Sequence, residues 1–443
     1  MRRLSLPLAA ALLFAAGCSG GGDNPAPRVI VFGIDGADWD RALPLVRQGK
    51  LPAMKRILRT GSRRTLVSLI PERLSPTIWT TAATGVLPER HGIHHFVTRG
   101  EDGSIQPVTS NQRRVAAAWN ILSARDRTVG VYGWLATWPA EPVNGVMISS
   151  YTPFFAGWSG DKASRPLKGT FVEGIRDQVW PPGLQEELSA LKTRPDSIGD
   201  HELAARFTGV PLPRAPSPDA ARSLEGMRWS WASDRTYERI YHHLADRSQP
   251  AERADVEFLY FGSVDVVGHR FWKYMEPDTY ALGKVDPAEV AAYGLSIESA
   301  YRSVDDILTG VLAREEEPTR LFILSDHGFR ENRDPARATS SGWHRSSGIL
   351  LSGGPGLREG LLPPASVVDF TPTLLYASGL PVATDMDGSP ALDLFEEEHL
   401  FGHPVQEIPS WEPEVDRERG GAPVASPVDA EIVSRLRALG YLD

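Results

Sequence analysis

The sequence predicts an α/β fold in which a mostly parallel central sheet is flanked by helices. Runs of β-branched, leucine and aromatic residues, typical of strands buried on both faces, occur at residues 28–34, 128–133, 256–261 and 320–324. Segments with helical spacing of apolar residues separate these runs, and the clearest of them covers residues 297–312. Because strands alternate with helices, we expect βαβ units, in which successive strands pair in parallel.

Residues 28–400 are expected to form one large domain with an insertion. Between residues 151 and 227, proline, glycine, serine and tryptophan are scattered without periodicity, which predicts a cap region inserted over one end of the sheet. A helical pattern resumes at residues 231–244. The tail, residues 401–443, is polar and rich in proline until a predicted short helix at residues 429–439, and this composition favours packing or a linker over chemistry.

Residues 1–17 are predicted to be a signal peptide. Arg2 and Arg3 precede an apolar run at residues 4–16, which is too short to cross a bilayer. The run leads to Cys18, and the residues around it resemble the cleavage site of bacterial lipoproteins. This resemblance implies that Cys18 becomes the lipidated first residue of the mature chain.

Cys18 is the only cysteine among the 443 residues, so these residues cannot form an intrachain disulfide. A redox-active thiol is the alternative to lipidation. Residues 18–27, rich in glycine and proline, predict a flexible tether after the lipidated cysteine. We therefore expect a protein attached by lipid to a bacterial membrane of the cell envelope. Ser19, directly after the cysteine, favours the outer membrane, on its periplasmic or surface side.

The net charge of the chain is −9, and 41% of its residues are hydrophobic, as in ordinary soluble domains. An acidic chain without a basic cluster in its sequence argues against nucleic acid as a partner. An anionic substrate would therefore need a local positive charge, for which a metal site is the obvious source.

Residues 75–85 predict a helix with a hydroxyl at its N-terminus. Ser75 is a preferred N-cap residue, Pro76 tolerates the first helical position, and Gly85 ends the apolar run. Unpaired N–H groups and the positive end of the helix dipole favour an anion beside that hydroxyl. The alternative interpretation of this segment is an ordinary capped core helix.

Carboxylates and imidazoles follow three of the predicted strands. Asp35, flanked by glycines, follows the first strand, and this is where parallel sheets place their ligands. Asp265 and His269 follow the strand at 256–261, while Asp326 and His327 follow the strand at 320–324. Taken singly, each group is also explained by a turn or a surface side chain. Oxygen and nitrogen ligands together favour zinc or manganese over calcium, and adjacent Asp and His residues suit a site with two metals.

Together these segments resemble the type I phosphodiesterase and nucleotide pyrophosphatase family of the alkaline phosphatase superfamily, in a bacterial lipoprotein form. The resemblance covers roughly residues 28–390 without the insertion and implies an alkaline phosphatase-like catalytic domain at residues 28–400. It depends on ordered motifs rather than on overall similarity. The motifs are Gly-Ile-Asp35-Gly, Thr84-Gly85 before His91-Gly92-Ile93, Asp265-x-x-x-His269, Ser325-Asp326-His327-Gly328 and a late His344.

The resemblance also implies the ligands of two divalent metal ions, with Zn²⁺ favoured over Mn²⁺. The implied ligands are Asp35, Asp326, His327 and the nucleophile Ser75 for one ion, and Asp265, His269 and His344 for the other. The implied activity is hydrolysis of a small-molecule phosphate ester, with phosphodiesters favoured, through a covalent phosphoseryl intermediate. The alternatives are a phosphomonoesterase or phosphonate hydrolase, a transferase of phosphoryl-linked head groups, and an inactive surface-binding lipoprotein. The sequence does not indicate an oligomeric state.

The chain departs from the family pattern at two places. Members of the family carry an asparagine after His-Gly-Ile that contacts phosphate, whereas this chain has His94, His95 and Phe96 in that region, which argues against a nucleotide substrate. The familiar nucleophile motif is Thr-x-Pro, whereas proline directly follows Ser75 here, so Thr77 is the alternative nucleophile.

Spacing favours Ser75 over Thr77 as the nucleophile. Counted back from Thr84 and Gly85 without gaps, Ser75 falls on the position of the family's nucleophile. Sulfatases of the same superfamily need proline and arginine two and four residues after the modified residue. Thr77 and Trp79 occupy those positions, so formylglycine chemistry is not expected.

Replacing the predicted lipidation site tests the anchor. Cys18→Ser is expected to block lipoprotein processing and acylation, while the folded domain keeps its activity when solubilised. Mass spectrometry of the membrane-associated protein measures the modification. An unmodified Cys18 in the natural protein would exclude the lipid anchor.

Overall fold

The computed structural model describes residues 26–69, 73–99, 104–150, 155–156, 170–171, 175–248, 252–315, 318–337, 340–417, 420–426, 429–430 and 433–434. Cys18, the predicted signal peptide and most of the predicted C-terminal helix lie outside these residues. Within the described ranges, no helix has the length and apolar character needed to cross a membrane.

The strands lie at β1 (Arg28–Ile34), β2 (Gly61–Val67), β3 (Val97–Arg99), β4 (Ile105–Pro107), β5 (Val129–Tyr132), β6 (Gly145–Ile148), β7 (Phe155–Ala156), β8 (Thr170–Phe171), β9 (Val179–Trp180), β10 (Val256–Phe261), β11 (Thr319–Leu324), β12 (Gly328–Glu331), β13 (Gly342–Arg345), β14 (Ser347–Gly353), β15 (Gly360–Leu361), β16 (Ala365–Ser366), β17 (Val382–Ala383) and β18 (Glu407–Ile408). The helices lie at α1 (Trp39–Arg47), α2 (Pro52–Leu58), α3 (Ser75–Thr84), α4 (Pro88–His91), α5 (Ala118–Ala124), α6 (Gln185–Ser189), α7 (Asp200–Leu203), α8 (Pro218–Arg247), α9 (Ser263–Met275), α10 (Pro287–Tyr293), α11 (Ser296–Leu312), α12 (Phe370–Ala377) and α13 (Glu397–Gly402).

One large sheet runs through the part of the chain that the structure describes. Its strands follow the order β15, β2, β14, β11, β1, β10, β5, β6 and β9, and β16 also pairs with β2. The strands from β11 to β6 run parallel to one another. β14 is antiparallel to β11 and β2, and β9 is antiparallel to β6. The predicted α/β fold with a mostly parallel sheet is therefore confirmed.

The central strand β1 is buried on both faces, as its continuous apolar sequence predicts. Ile30 and Phe32 point to one side and pack in a core with helices α1, α2, α8, α9 and α11. Val29 and Val31 point to the other side and pack in a core with α3, α5 and α12. Because side chains alternate along a strand, one apolar run supplies both cores and leaves the strand ends for ligands.

Helix α8 begins earlier than the helical pattern indicated. It starts at Pro218, not at residue 231, so the last ten residues of the predicted insertion belong to a helix that packs in the core through Leu224 and Met227. Ser217 caps this helix by accepting a hydrogen bond from the N–H of Ala220 at 3.2 Å. A serine followed by proline is a helix start signal, and here it outweighed the scattered composition of the insertion.

The tail packs on the domain through a buried ion pair. Glu141 accepts hydrogen bonds from Arg113 at 2.6 Å, from Trp119 at 3.1 Å and from Arg417 of the tail at 3.1 Å. Burial alone would raise the pKa of the Glu141 carboxyl, but the two guanidinium groups outweigh this effect and lower it. Trp411 of the tail is also buried, with 2% of its surface exposed. Part of the tail therefore packs on the domain rather than serving as a linker.

Removing the charge of Glu141 should destabilise the protein. Glu141→Gln leaves two buried guanidinium groups without their carboxylate, so the free energy of unfolding should fall by about 3–5 kcal/mol at pH 7. Because the pKa of Glu141 is lowered by folding, its contribution is present above the ordinary glutamate pKa and is lost as pH falls below it. Denaturant unfolding at pH 7 and pH 4 should therefore show a smaller difference between wild type and variant at the lower pH.

Glu89→Gln is the matched control, because Glu89 pairs with Arg73 at 3.9 Å on the surface. Its effect should stay below about 1 kcal/mol. Equal effects of the two substitutions would show that the buried pair does not hold the tail.

Candidate active site and metal centre

A buried cluster of acids and histidines lies at the carboxyl edge of the central strands. Asp35 follows β1, Asp326 and His327 follow β11, and Asp265 and His269 lie on α9 just after β10. Because β10, β1 and β11 are parallel neighbours, their carboxyl ends meet at one edge of the sheet. The cluster is completed by His344 from β13 and Ser75 from α3, and each of the seven residues is at most 3% exposed.

The first group of ligand atoms comes from Asp265, His269 and His344. The Nε2 atoms of His269 and His344 are 2.9 Å apart, and the Oδ1 atom of Asp265 lies 3.3 Å and 3.6 Å from them. Asp265 and His269 follow β10, as the sequence indicated, and lie one turn apart on α9. Because residues four positions apart on a helix lie on the same face, both side chains can bind the same ion.

The second group surrounds the Nε2 atom of His327. Asp35 Oδ1 lies 3.3 Å from it, Asp326 Oδ2 lies 3.4 Å from it and Asp265 Oδ1 lies 3.7 Å from it. The hydroxyl of Ser75 lies 3.3 Å from Asp35 Oδ1 and 3.4 Å from His327 Nε2. Asp265 therefore lies between the two groups and can contribute to either.

The histidine rings are oriented by contacts on their other nitrogen. His269 Nδ1 lies 3.0 Å from the carbonyl of Gly342 and 2.7 Å from the hydroxyl of Ser340. His327 Nδ1 lies 3.3 Å from the carbonyl of Gly328. A carbonyl oxygen only accepts, so Nδ1 carries the proton in both rings. The lone pair of Nε2 then points into the cluster, as a metal ligand requires.

Burial raises the pKa of two of the three carboxyl groups, and the charges of neighbouring carboxylates add to this effect. Burial and the charges of Asp326 and Asp265 raise the pKa of Asp35 well above its ordinary value. Burial and Asp265 likewise raise the pKa of Asp326 to about 8. Three carboxylates cannot all ionise in one dry cluster unless positive charge compensates them.

The residues present fit divalent cations. The Oδ2 atom of Asp326 is buried and makes no hydrogen bond, although it belongs to the cluster. Ligand atoms of Asp265, His269 and His344 lie within 4.8 Å of one another, and so do those of Asp35, Asp265 and His327. Carboxylate oxygens and imidazole nitrogens are the ligands that zinc and manganese bind in proteins. A cation in each group would satisfy these atoms and relieve the repulsion between the carboxylates.

Ser75 lies at the first position of α3 and not at its N-cap, which is Leu74. Pro76, with no N–H to leave unpaired, allows the helix to begin one residue earlier than predicted. The alternative nucleophile, Thr77, is fully buried, and its hydroxyl makes no hydrogen bond to any described residue, the clustered ones included. The structure thus brings Ser75, and not Thr77, into the cluster.

His91 of the His-Gly-Ile motif lies outside the cluster. Its Nδ1 accepts from the N–H of Ile93 at 3.1 Å, and its Nε2 lies 3.0 Å from the hydroxyl of Thr81 on α3. Burial lowers the pKa of His91 to about 3, so the ring is neutral. This motif therefore connects the segment after α4 to the helix that carries Ser75.

Two residues that position Asp35 were missed from the sequence. Tyr260 donates a hydrogen bond from its hydroxyl to Asp35 Oδ2, and Trp79 donates from Nε1 to the same oxygen at 3.2 Å. With Oδ2 occupied, Oδ1 faces Ser75. A Cβ at Gly33 would lie 2.8 Å from the Trp79 ring, so a glycine is needed there. Glycine inside a buried strand signals such a close approach.

Gly36 has a second steric role in the site. Its φ is +75°, and a Cβ there would lie 2.6 Å from Phe329 and 3.0 Å from the Cα of Asp265. Only glycine allows the chain after Asp35 to pass so close to α9. The N–H of Gly36 then reaches Asp326 Oδ1 at 3.3 Å.

A model of the type I phosphodiesterase / nucleotide pyrophosphatase family matches residues 29–364. The chain belongs to this family. The match spans all the clustered residues, and it places the protein among the type I phosphodiesterase and nucleotide pyrophosphatase hydrolases. No curated protein sequence matches the chain significantly.

Solved structures include several relatives of this phosphodiesterase-family fold. The alkaline phosphatase PafA aligns with 12% identity and a TM-score of 0.50, covering 84% of this chain and 99% of that one. Human ectonucleotide pyrophosphatase / phosphodiesterase 5 aligns with 12% identity and a TM-score of 0.46, covering 84% and 100%. Phosphonoacetate hydrolase from Sinorhizobium meliloti 1021, in complex with phosphonoformate, aligns with 16% identity and a TM-score of 0.37, covering 71% and 59%. The similarity to PafA shows that the fold is alkaline phosphatase-like.

The hydrogen bond from Tyr260 to Asp35 can be tested through metal affinity. Tyr260→Phe removes a donor from Asp35 Oδ2 and leaves the ring in place, so metal affinity should fall about 10–100-fold. Competitive chelation measures this change directly. Tyr274→Phe is the matched control, because the buried Tyr274 hydroxyl donates to Glu289 at 3.0 Å away from the cluster. Equal metal affinity in both variants would show that Tyr260 does not position Asp35.

Proposed function

We propose that the protein hydrolyses small-molecule phosphate esters, with phosphodiesters favoured, through a phosphoseryl intermediate on Ser75. The observation that carries this proposal is the position of the Ser75 hydroxyl. It lies 3.3 Å from Asp35 Oδ1 and 3.4 Å from His327 Nε2, inside a buried set of three carboxylates and three histidines. A serine hydroxyl is a weak nucleophile until it is deprotonated, and these side chains, with the cations they can bind, would favour its deprotonation.

Two divalent ions, with Zn²⁺ favoured over Mn²⁺, are assigned to the cluster. The proposed ligands are Asp35, Asp326, His327 and Ser75 for one ion, and Asp265, His269 and His344 for the other. When bound, the ions would supply Lewis acidity that lowers the pKa of the serine hydroxyl and stabilises charge on the attacking and leaving oxygens. Asp265 lies close enough to both groups to hold their relative position.

The residues of the chain determine the course of the reaction. The Ser75 oxygen forms a bond to phosphorus while the bond from phosphorus to the leaving alcohol breaks, and the alcohol departs with a proton. Water then attacks the phosphoserine, restores the hydroxyl and releases the remaining phosphate ester. The N-terminus of α3 places its positive dipole end beside the phosphoryl oxygens, which favours both steps. Burial of the cluster excludes bulk water and strengthens these interactions.

The family description favours diesters over monoesters. The similarity to the alkaline phosphatase PafA makes phosphomonoester hydrolysis the second candidate activity. Steady-state rates on matched monoesters and diesters would separate the two.

We also propose that residues 1–17 are removed and that Cys18 is then lipidated, which would attach the domain to a membrane of the bacterial cell envelope. The net charge of −9 argues against nucleic acid as a substrate.

Comparing Ser75→Ala with Thr77→Ala tests the nucleophile. Ser75→Ala should abolish both turnover and the trapped phosphoenzyme, because no other hydroxyl of the proposed ligand set can attack phosphorus. Thr77→Ala is the matched control and should keep both at reduced rates, since Thr77 packs in the same helix without entering the cluster. Acid-quench trapping of labelled phosphate and steady-state rates measure the two quantities.

Metal content of both variants should be determined in the same samples, because Ser75 is itself a proposed ligand. A dead Thr77→Ala variant beside an active Ser75→Ala variant would contradict the assignment. Phosphoenzyme in neither the variants nor the wild type, despite turnover, would contradict the covalent route.

A further inference from the structure

Helix α9 carries two of the proposed metal ligands, and its N-terminus is capped from another helix. Asp265 and His269 lie in its first two turns, and its N-cap residue, Gly262, has no side chain that could accept from the first N–H groups. The carboxyl of Asp234, on α8, accepts from them instead. Its Oδ1 atom accepts from the N–H of Gly262 at 3.0 Å, and its Oδ2 atom accepts from the N–H of Ser263 at 3.2 Å. Asp234 therefore holds the first turn of the helix that carries Asp265.

Asp234 is itself held in place by the sheet. One turn further along α8, the hydroxyl of Tyr237 donates to the carbonyl of Ser149, the residue directly after β6, at 3.0 Å. The Tyr237 ring packs on Gly133, the residue directly after β5, where a Cβ would lie 2.5 Å from the ring. A continuous set of contacts thus runs from the carboxyl edge of the sheet through α8 to the start of α9.

The flank of α9 is fixed separately by close packing. A Cβ at Gly36 would lie 3.0 Å from the Cα of Asp265, and a Cβ at Gly268 would lie 2.9 Å from the Phe329 ring. These contacts limit sideways movement of the helix. The hydrogen bonds to Asp234 lie at the end of the helix, so they oppose movement along its axis.

Movement along this axis would affect both groups of ligand atoms. The Oδ1 atom of Asp265 lies 3.3 Å from Nε2 of His269 and 3.7 Å from Nε2 of His327. Asp265 comes only two residues after Ser263, whose N–H Asp234 holds. A shift of the first turn would therefore displace the carboxylate that lies between the two groups.

A buried carboxyl group is an expensive cap for a helix. Asp234 is 1% exposed, and burying an ionisable group costs free energy. Serine, threonine and asparagine cap helices without adding a charge. A carboxylate, however, has two acceptor oxygens and can hold two successive N–H groups at once. The side chain at this position thus fits the need for a closely fixed helix end.

We propose that Asp234 is a positioning residue of the metal site, which places Asp265 by fixing the start of α9. The proposal rests on the two-metal site proposed above. It connects metal binding with α8, a helix whose first ten residues belong to the predicted cap region.

Asp234→Asn tests this role. The amide has a single acceptor oxygen, and its NH₂ group would face one of the two backbone donors, so the hold on α9 should weaken. Competitive chelation should show that Zn²⁺ affinity falls about 10–100-fold, with the larger loss for the ion assigned to Asp265, His269 and His344. Unchanged Zn²⁺ affinity in the folded variant would overturn the proposal.

Asp305→Asn is the matched control, because Asp305 caps a second helix in the same way. Asp305 lies on α11, is 1% exposed, and accepts from the N–H groups of Ala53 and Met54 on α2, both at 2.9 Å. Helix α2 carries none of the clustered residues. Denaturant unfolding of the metal-free proteins should show a comparable loss of stability in both variants, whereas Asp305→Asn should keep the wild-type Zn²⁺ affinity. An equal loss of affinity in both variants would assign the effect to general stability and overturn the proposal.

A second variant decides the question if Asp234→Asn does not fold. Tyr237→Phe removes the hydrogen bond from α8 to Ser149 and keeps the ring, so Zn²⁺ affinity should fall in the same direction by a smaller factor. Tyr274→Phe should keep the wild-type affinity, because the Tyr274 hydroxyl donates to Glu289 near the other end of α9. Equal affinities in these two tyrosine variants would then overturn the proposal.

The positioning role and the proposed function fail in different ways. A wild-type protein that binds neither Zn²⁺ nor Mn²⁺ would overturn the metal site and the role of Asp234 together. Zn²⁺ binding without hydrolysis of any phosphate ester would overturn the phosphoesterase function alone. The affinities of the variants would still decide the role of Asp234 in that case.

Discussion

The burial of three carboxylates in one cluster is the constraint on which the rest of the site depends. Asp35, Asp265 and Asp326 are each at most 3% exposed and lie against the same imidazole, that of His327. Taken alone, this arrangement is unfavourable, because the carboxylates repel one another and have lost their hydration. The raised pKa values of Asp35 and Asp326 express this cost. A cation bound in the cluster would compensate these charges and would therefore stabilise the folded chain.

The register of the sheet holds Asp35 in position despite this unfavourable burial. Gly33 pairs with Tyr260 across β1 and β10, which places the tyrosine hydroxyl beside Asp35. The same glycine admits the Trp79 ring from α3, the helix that carries Ser75. The position of Ser75, the proposed nucleophile, relative to Asp35 thus depends on a strand, its neighbour and a helix that pack together without space to adjust. Such a site is organised before substrate binds, as electrostatic catalysis requires.

The sequence predicted the strands from their apolar runs and the candidate metal ligands from Asp and His residues at the strand ends. The bounds of β1 and β10 agree with their apolar runs, and the residues named as metal ligands converge because parallel strands share an edge. Three-dimensional packing explains what the sequence missed. Tyr260 and Trp79 belong to apolar runs, and nothing in those runs distinguishes a core ring from one that donates a hydrogen bond to Asp35. The arginines at and after the end of β12 alternate with acids, and the sequence did not indicate that they line one cavity.

The strand-end residues of the cluster and His344 are supported by different parts of the fold. This difference determines where the preference for a substrate can change. Asp35 and Asp326 follow neighbouring strands, so they cannot move without disturbing the core. His344 lies on the β12–β13 hairpin. Asp38 holds this hairpin by accepting a hydrogen bond from the N–H of Phe329 at 3.0 Å and by pairing with Arg345 at 3.1 Å. Among the described residues between β12 and β13, Arg333 and Arg337 lie on the surface, while the contact of Ser340 with His269 holds one end of the segment. Substitutions in this loop can alter what lies beside the metal site while the strand-end ligands stay in place. A hydrolytic centre built at a sheet edge can therefore keep its chemistry and change its substrate.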